Sequence, residues 1–151
     1  MHFLAIQKIF GVLLVIFSVT QIPPWFIAYF SQDGSAHAFL TAYLITVITG
    51  ALLWLPARRG TDELGTKEGF LVVALFWVVL ALFGAIPLYL APQPSLSITD
   101  AVFESMSGLT TTGATIMVGI DDLPLSIRYY RQQLQWLGGM GIIVLAVAVL
   151  P

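Results

Sequence analysis

The chain has 151 residues, 58% of them hydrophobic and 9% charged, with a formal net charge of −2. Soluble domains carry about 25% charged residues, so this composition excludes a water-soluble globule and specifies an integral membrane protein with several spans. The small negative charge and the lack of a basic run argue against a nucleic-acid partner, and the absence of cysteine excludes a disulfide framework, a thiolate metal site and a cysteine nucleophile.

In chain order, the first apolar run covers residues 3–30 and is interrupted by Lys8, Gln21, Pro23 and Pro24. It exceeds the roughly 20 residues that a span requires, so a tilt or a kink at the prolines is expected. It is also too long for a cleaved signal peptide and reads as a retained span. Residues 31–37 form a polar turn containing Asp33 and Gly34, and a second span is expected over residues 38–57, ending at Pro56, Arg58 and Arg59. His2 and His37 are too few and too scattered for a metal cluster and read as terminal or interfacial side chains.

Residues 58–68 form a charged loop bearing Arg58, Arg59 and Lys67, with Lys8 on the same side of the membrane. The side richer in lysine and arginine faces the cytoplasm, which places the N-terminus there and leaves Arg128 and Arg131 toward the other side. A third span follows over residues 69–91, with Gly84 and Pro87 near its outer end. A final helix is expected from about Arg128, becoming wholly apolar over residues 138–150. The abrupt apolar ending at Pro151 suggests a fragment. The fold class is therefore all-α. The expected organisation is a two-helix membrane region (1–57), a cytoplasmic loop (58–68) and one helix–re-entrant loop–helix repeat (69–151).

Between the last two spans lies the polar stretch 97–115, too short and too polar to cross a bilayer. Its first half reads as a helix, with Ser97 or Thr99 as cap and Asp100 in the first turn. Gly108 and the run Thr110, Thr111, Thr112, Gly113 and Ala114 then replace helix with extended backbone. Non-helical backbone at membrane depth is tolerated only where protein buries it or where it lines a wet cavity. A half-helix over residues 99–109 would be about 16 Å long, reaching about halfway into an apolar core of about 30 Å. Its carboxyl end, the negative pole of the helix dipole, then favours a cation at mid-membrane. Backbone carbonyls can replace the hydration shell of a potassium ion, and Gly113 permits the backbone turn this requires. Thr110, Thr111, Thr112 and Gly113 are accordingly the candidate ion-binding residues.

Asp100 and Glu104 lie one turn apart on the half-helix. They read either as an acidic mouth that concentrates cations or, with better support, as a helix-start residue and a hydrogen-bonding group behind the filter. Gly138, Gly139 and Gly141 lack the spacing of a nucleotide loop and read as close-packing positions on a membrane helix. Arg128 and Arg131 have three candidate surroundings: anionic lipid, the loop acids Asp121 and Asp122, and the pore mouth.

The stretch TDAVFESMSGLTTTGATI followed by RQQLQWLGGMGIIVLAVAVLP resembles the first pore repeat of the Trk/Ktr/HKT potassium-transporter superfamily, and within it the bacterial Trk membrane subunits. Two spans ahead of that repeat strengthen the resemblance. It implies four helix–loop–helix repeats around one pore in a complete polypeptide, of which this sequence holds one. It also implies a homodimer, potassium as the transported ion with no organic cofactor, and the cytosolic nucleotide-binding regulator TrkA as partner. A multi-pass location in the bacterial inner membrane follows. The resemblance makes Gly113 the filter glycine; relatives with serine there tend to favour sodium, so glycine is consistent with potassium. Two other functions fit the residues alone: a secondary transporter with a broken-helix substrate site, and a non-transporting membrane remnant. An enzyme is the weakest reading, because no nucleophile–base set is apparent.

Overall fold

Two prolines decide the start of the architecture. Pro23 and Pro24 have no amide hydrogen to donate, so a helix accommodates such a pair at least cost in its first turn, where those amides have no intrahelical partner. In the computed structural model, which describes residues 3–59 and 66–149, the chain accordingly forms α1 (Phe3–Val19), breaks at Thr20 and Gln21, and resumes as α2 (Ile22–Ser31) with the prolines at its start. The expected kink at the prolines is thus a break just before them. Its freed polar groups find partners on other helices. The Gln21 side-chain amide donates to Thr46 Oγ1 at 3.3 Å, and Gln133 Nε2 donates to the Thr20 carbonyl at 2.8 Å.

The chain continues through α3 (Ala36–Ala57), α4 (Thr66–Leu90), α5 (Ile98–Leu109) and α6 (Leu125–Val149). A single 3-10 turn, Ile120–Asp122, lies in the connection between α5 and α6. The architecture is all-α. Phe3–Ser31, Ala36–Ala57 and Gly69–Leu90 are long and apolar enough to cross a membrane. Their large apolar side chains, among them Ile16, Phe30, Leu52 and Phe70, are exposed on the surface of the chain, as a bilayer solvent requires and water would penalise.

Several boundaries differ from those expected of the sequence. His37 belongs to the first turn of α3 rather than to the preceding turn, and Lys67 and Glu68 belong to α4 rather than to the charged loop, whose residues 60–65 lie outside the described residues. Helix α6 starts three residues before Arg128 because the Pro124 carbonyl accepts from the amides of Ile127 and Arg128 at 3.0 and 3.1 Å. The end of the chain at 150–151 also lies outside the described residues.

Packing follows from small residues at the crossings. Helix α1 lies principally against α3. A Cβ on Gly11 would stand 2.7 Å from the Trp54 nitrogen, so the two backbones meet where only glycine fits. The core gathers Leu14, Phe39, Leu88, Leu109, Ile127, Tyr130 and Leu134, all fully buried. Tyr130 stacks edge-on against Phe39, with ring centroids 5.3 Å apart, and its hydroxyl donates to the Gly84 carbonyl at 2.9 Å. This ties α6 to α4 one turn before Pro87. The short helix α5 packs against both α4 and α6, so the two long helices that flank it in the chain fix its position.

Candidate functional site

Helix α5 begins where its cap chemistry is complete. Ser97 adopts extended backbone, its Oγ accepts from the Asp100 amide at 3.2 Å, and its hydroxyl donates to Asp100 Oδ2 at 2.7 Å. Of the two candidate caps, the structure uses Ser97. Asp100 serves the helix start, as expected of a carboxylate at the positive end of the dipole. Twelve residues at 1.5 Å each give α5 a length of about 18 Å, too short to cross the bilayer.

After Leu109 the backbone folds back onto the helix end. The Thr110 amide donates to the Met106 carbonyl at 2.9 Å and the Thr111 amide to Gly108 at 2.9 Å. The amides of Thr112 and Gly113 both donate to the Ser107 carbonyl, at 3.0 and 3.3 Å. Two left-handed residues make this path possible: Thr111 at φ +57° and Gly113 at φ +73°. The donors of the loop are therefore spent on the carbonyls that end α5. Among the described residues, no donor reaches the carbonyl oxygens of Thr110, Thr111, Thr112 or Gly113. All four residues are exposed on the surface of the chain. Thr110 Oγ1 donates to the Met106 carbonyl at 2.8 Å and lies 2.8 Å from Thr112 Oγ1, which braces the two threonines against each other.

The outgoing limb of the loop is held from behind. The Ser107 hydroxyl donates to the Ala114 carbonyl at 2.7 Å. Glu104 Oε1 accepts from Thr115 Oγ1 at 2.6 Å and from the Ile116 amide at 2.7 Å, and Thr115 Oγ1 in turn accepts from the Met117 amide at 3.0 Å. The other carboxylate oxygen, Oε2, accepts from Arg131 Nε on α6 at 3.2 Å, with both side chains buried. The acidic-mouth reading of Asp100 and Glu104 is thus replaced by its alternative. Glu104 is 4% exposed and faces the protein side of the loop.

Arg131 stands in none of the three surroundings considered for it; it is an internal ion pair. Glycine packing on α6 is also explained: a Cβ on Gly138 would collide with the Leu109 carbonyl, so this glycine lets α6 lie against the end of α5. The role of Ser107 and the partnership of Arg131 were not read from the sequence. An intramembrane charge needs a partner, which points to some carboxylate–arginine pairing between α5 and α6, but α5 offers Asp100 and Glu104 and α6 offers Arg128 and Arg131, so the sequence leaves the choice open.

Among the described residues no group of three or more His, Asp or Glu side chains comes together. The oxygens this loop offers are those of its peptide groups and threonines.

Residues 35–151 match the family model of TrkH, a cation transport protein. The chain belongs to the TrkH cation-transport family. A Trk system potassium uptake protein TrkH from Halomonas elongata is 61% identical over 146 residues, covering 97% of this chain and 30% of its own length. Its counterpart from Escherichia coli K12 is 54% identical over 151 residues, covering all of this chain and 31% of its own length. The crystal structure of the potassium transporter TrkH from Vibrio parahaemolyticus superposes with a TM-score of 0.94 at 52% identity, over 100% of this chain and 32% of that one. The chain thus spans a little under a third of the length of the curated relatives it matches. The TrkH family is one of cation transporters and not of enzymes.

Proposed function

We propose that this chain supplies the two leading membrane passes (1–57) and the first pore repeat (69–151) of a Trk-type potassium-uptake subunit. In this reading Thr110, Thr111, Thr112 and Gly113 present peptide oxygens to dehydrated K+, the transported ion. The observation that carries it is the hydrogen bonding of the loop: its amides turn back onto Met106, Ser107 and Gly108 while its carbonyls keep no protein donor among the described residues. Such oxygens are what an alkali cation requires when it leaves water. The negative end of α5 adds a favourable potential beside them.

The same reading places the N-terminus and residues 58–68 on the cytoplasmic side of a bacterial inner membrane. The charge count supports this: Lys8, Arg58, Arg59 and Lys67 stand on one side, and of the two arginines opposite, Arg131 is spent in an internal pair with Glu104. In the full assembly the subunit pairs as a homodimer and takes the cytosolic regulator TrkA as partner.

The test is a chimaera in which this chain replaces the aligned segment of the Escherichia coli relative, expressed in cells lacking potassium uptake. Growth at low potassium is expected, and loss of that growth when Gly113 is replaced by phenylalanine. Growth that survives Gly113→Phe unchanged would overturn the filter assignment.

A further inference from the structure

We infer that Glu104 and Arg131 form a positioning pair that sets how well the loop discriminates among alkali cations; this rests on the filter reading above. Every hydrogen bond that the Glu104 carboxylate accepts has a place in that role. Oε1 takes two donors from the outgoing limb, the Thr115 hydroxyl at 2.6 Å and the Ile116 amide at 2.7 Å, while Oε2 takes Arg131 Nε at 3.2 Å. The carboxylate side chain is 1% exposed and the arginine 8%. Neither group can therefore touch a passing ion.

Burying the two charges is costly, and the cost is offset only when their remaining hydrogen-bonding capacity is met with good geometry. For the carboxylate, the capacity left beside Arg131 is met by the filter loop itself. One turn further along the same face of α5, Ser107 holds the middle of the loop: its carbonyl accepts from Thr112 and Gly113, and its hydroxyl donates to Ala114. Residues 112–116 are thus fixed at two points of one rigid helix, and α6 clamps the second point through Arg131. Selectivity in a carbonyl filter depends on how many oxygens face the ion and how firmly they are held. Loosening the second point lets the oxygens follow ions of other radii.

The experiment measures K+ and Na+ uptake kinetics in the chimaera carrying Glu104→Gln, Thr115→Val or Gly113→Ser, each normalised to membrane abundance. Glu104→Gln turns one acceptor into a donor facing Arg131. Thr115→Val leaves the ion pair intact and removes only the loop's hydroxyl. We expect Glu104→Gln to raise the apparent KM for K+ and to lower K+ over Na+ preference by on the order of tenfold. Thr115→Val should shift both in the same direction to a smaller extent.

A merely structural role would lower abundance and maximal rate and leave KM and preference alone; that result overturns the inference. Should Glu104→Gln fail to reach the membrane, Thr115→Val decides by the same criterion. Gly113→Ser separates the two readings. If it alone shifts preference, the positioning pair is refuted and the filter stands. If no variant at 104, 113 or 115 shifts preference, the filter reading falls and takes this inference with it.

Discussion

Thr111 is a β-branched residue held at φ +57°. The left-handed region costs a non-glycine residue about 1–2 kcal/mol, so neighbouring contacts must enforce it: the Thr111 amide bond to Gly108 and the brace between Thr110 and Thr112 do so. At Gly113 the same region is reached without a side chain, and the space around it is open. The nearest atom to an added Cβ is Gln135 Nε2 at 4.0 Å. Gly113→Ala therefore meets a conformational penalty and no clash. We expect a stability loss of about 1 kcal/mol, seen as a small drop in melting temperature in detergent, together with a disproportionate loss of potassium uptake in the chimaera. Uptake that falls only in step with folded protein would show that the backbone angle at Gly113 has no part in transport.

Between elements, two contacts carry measurable stability. Helix α6 crosses the end of α5 at Gly138, where an added methyl would overlap the Leu109 carbonyl. Gly138→Ala should cost about 1–3 kcal/mol, the usual penalty of overpacking. Gly69→Ala, with no packing neighbour among the described residues within 4 Å of the new methyl, should instead stabilise α4 by about 0.5–1 kcal/mol. Melting the two variants side by side tests whether contact or helix propensity governs.

The second contact is Asp33, which joins two helix starts. Its Oδ1 accepts from the Ser35 amide ahead of α3, and Oδ2 accepts from the Ser126 amide at the start of α6, both at 3.0 Å. Partial burial would raise the carboxyl pKa, but hydrogen bonds from Ser126 and Ser35 outweigh it and hold the group below its ordinary 3.8. A lowered folded-state pKa means stabilisation that is present above the ordinary value and is lost as pH falls through the lowered one. Asp33→Asn should lower stability by about 1 kcal/mol at neutral pH. It should also flatten the fall in melting temperature between about pH 5 and about pH 2. An unchanged acid limb in that variant would assign the acid sensitivity elsewhere.

Across the whole molecule, the features legible in the sequence are the local ones. The start of α5 near Asp100, the prolines after Gln21, and the glycine after three threonines each act within a few residues, so spacing reveals them, although it left the cap open between Ser97 and Thr99. The contacts that spacing could not reveal join distant parts of the chain. Glu104 and Arg131 are 27 residues apart and Asp33 and Ser126 are 93 apart. In each case several polar partners were chemically equivalent until helix packing chose one. The early start of α6 escaped for a related reason, since the Pro124 carbonyl opens the helix before any charged residue marks it.

The arrangement these contacts build also limits what one repeat can do. A filter replaces the water shell on all sides of an ion, and in potassium channels four loops share that task around one axis. The present loop has a single turn of peptide oxygens, backed by α5 and, through Arg131, by α6, with residues 110–116 exposed and Val118 93% exposed beside it. An ion resting there would keep most of its hydration and gain little. The 151-residue chain reconstituted alone in potassium-loaded liposomes should therefore show no potassium efflux above that of empty vesicles, whereas the chimaera should release potassium. Selective efflux through the short chain, abolished by Gly113→Phe, would mean that copies of this single repeat close a pore among themselves.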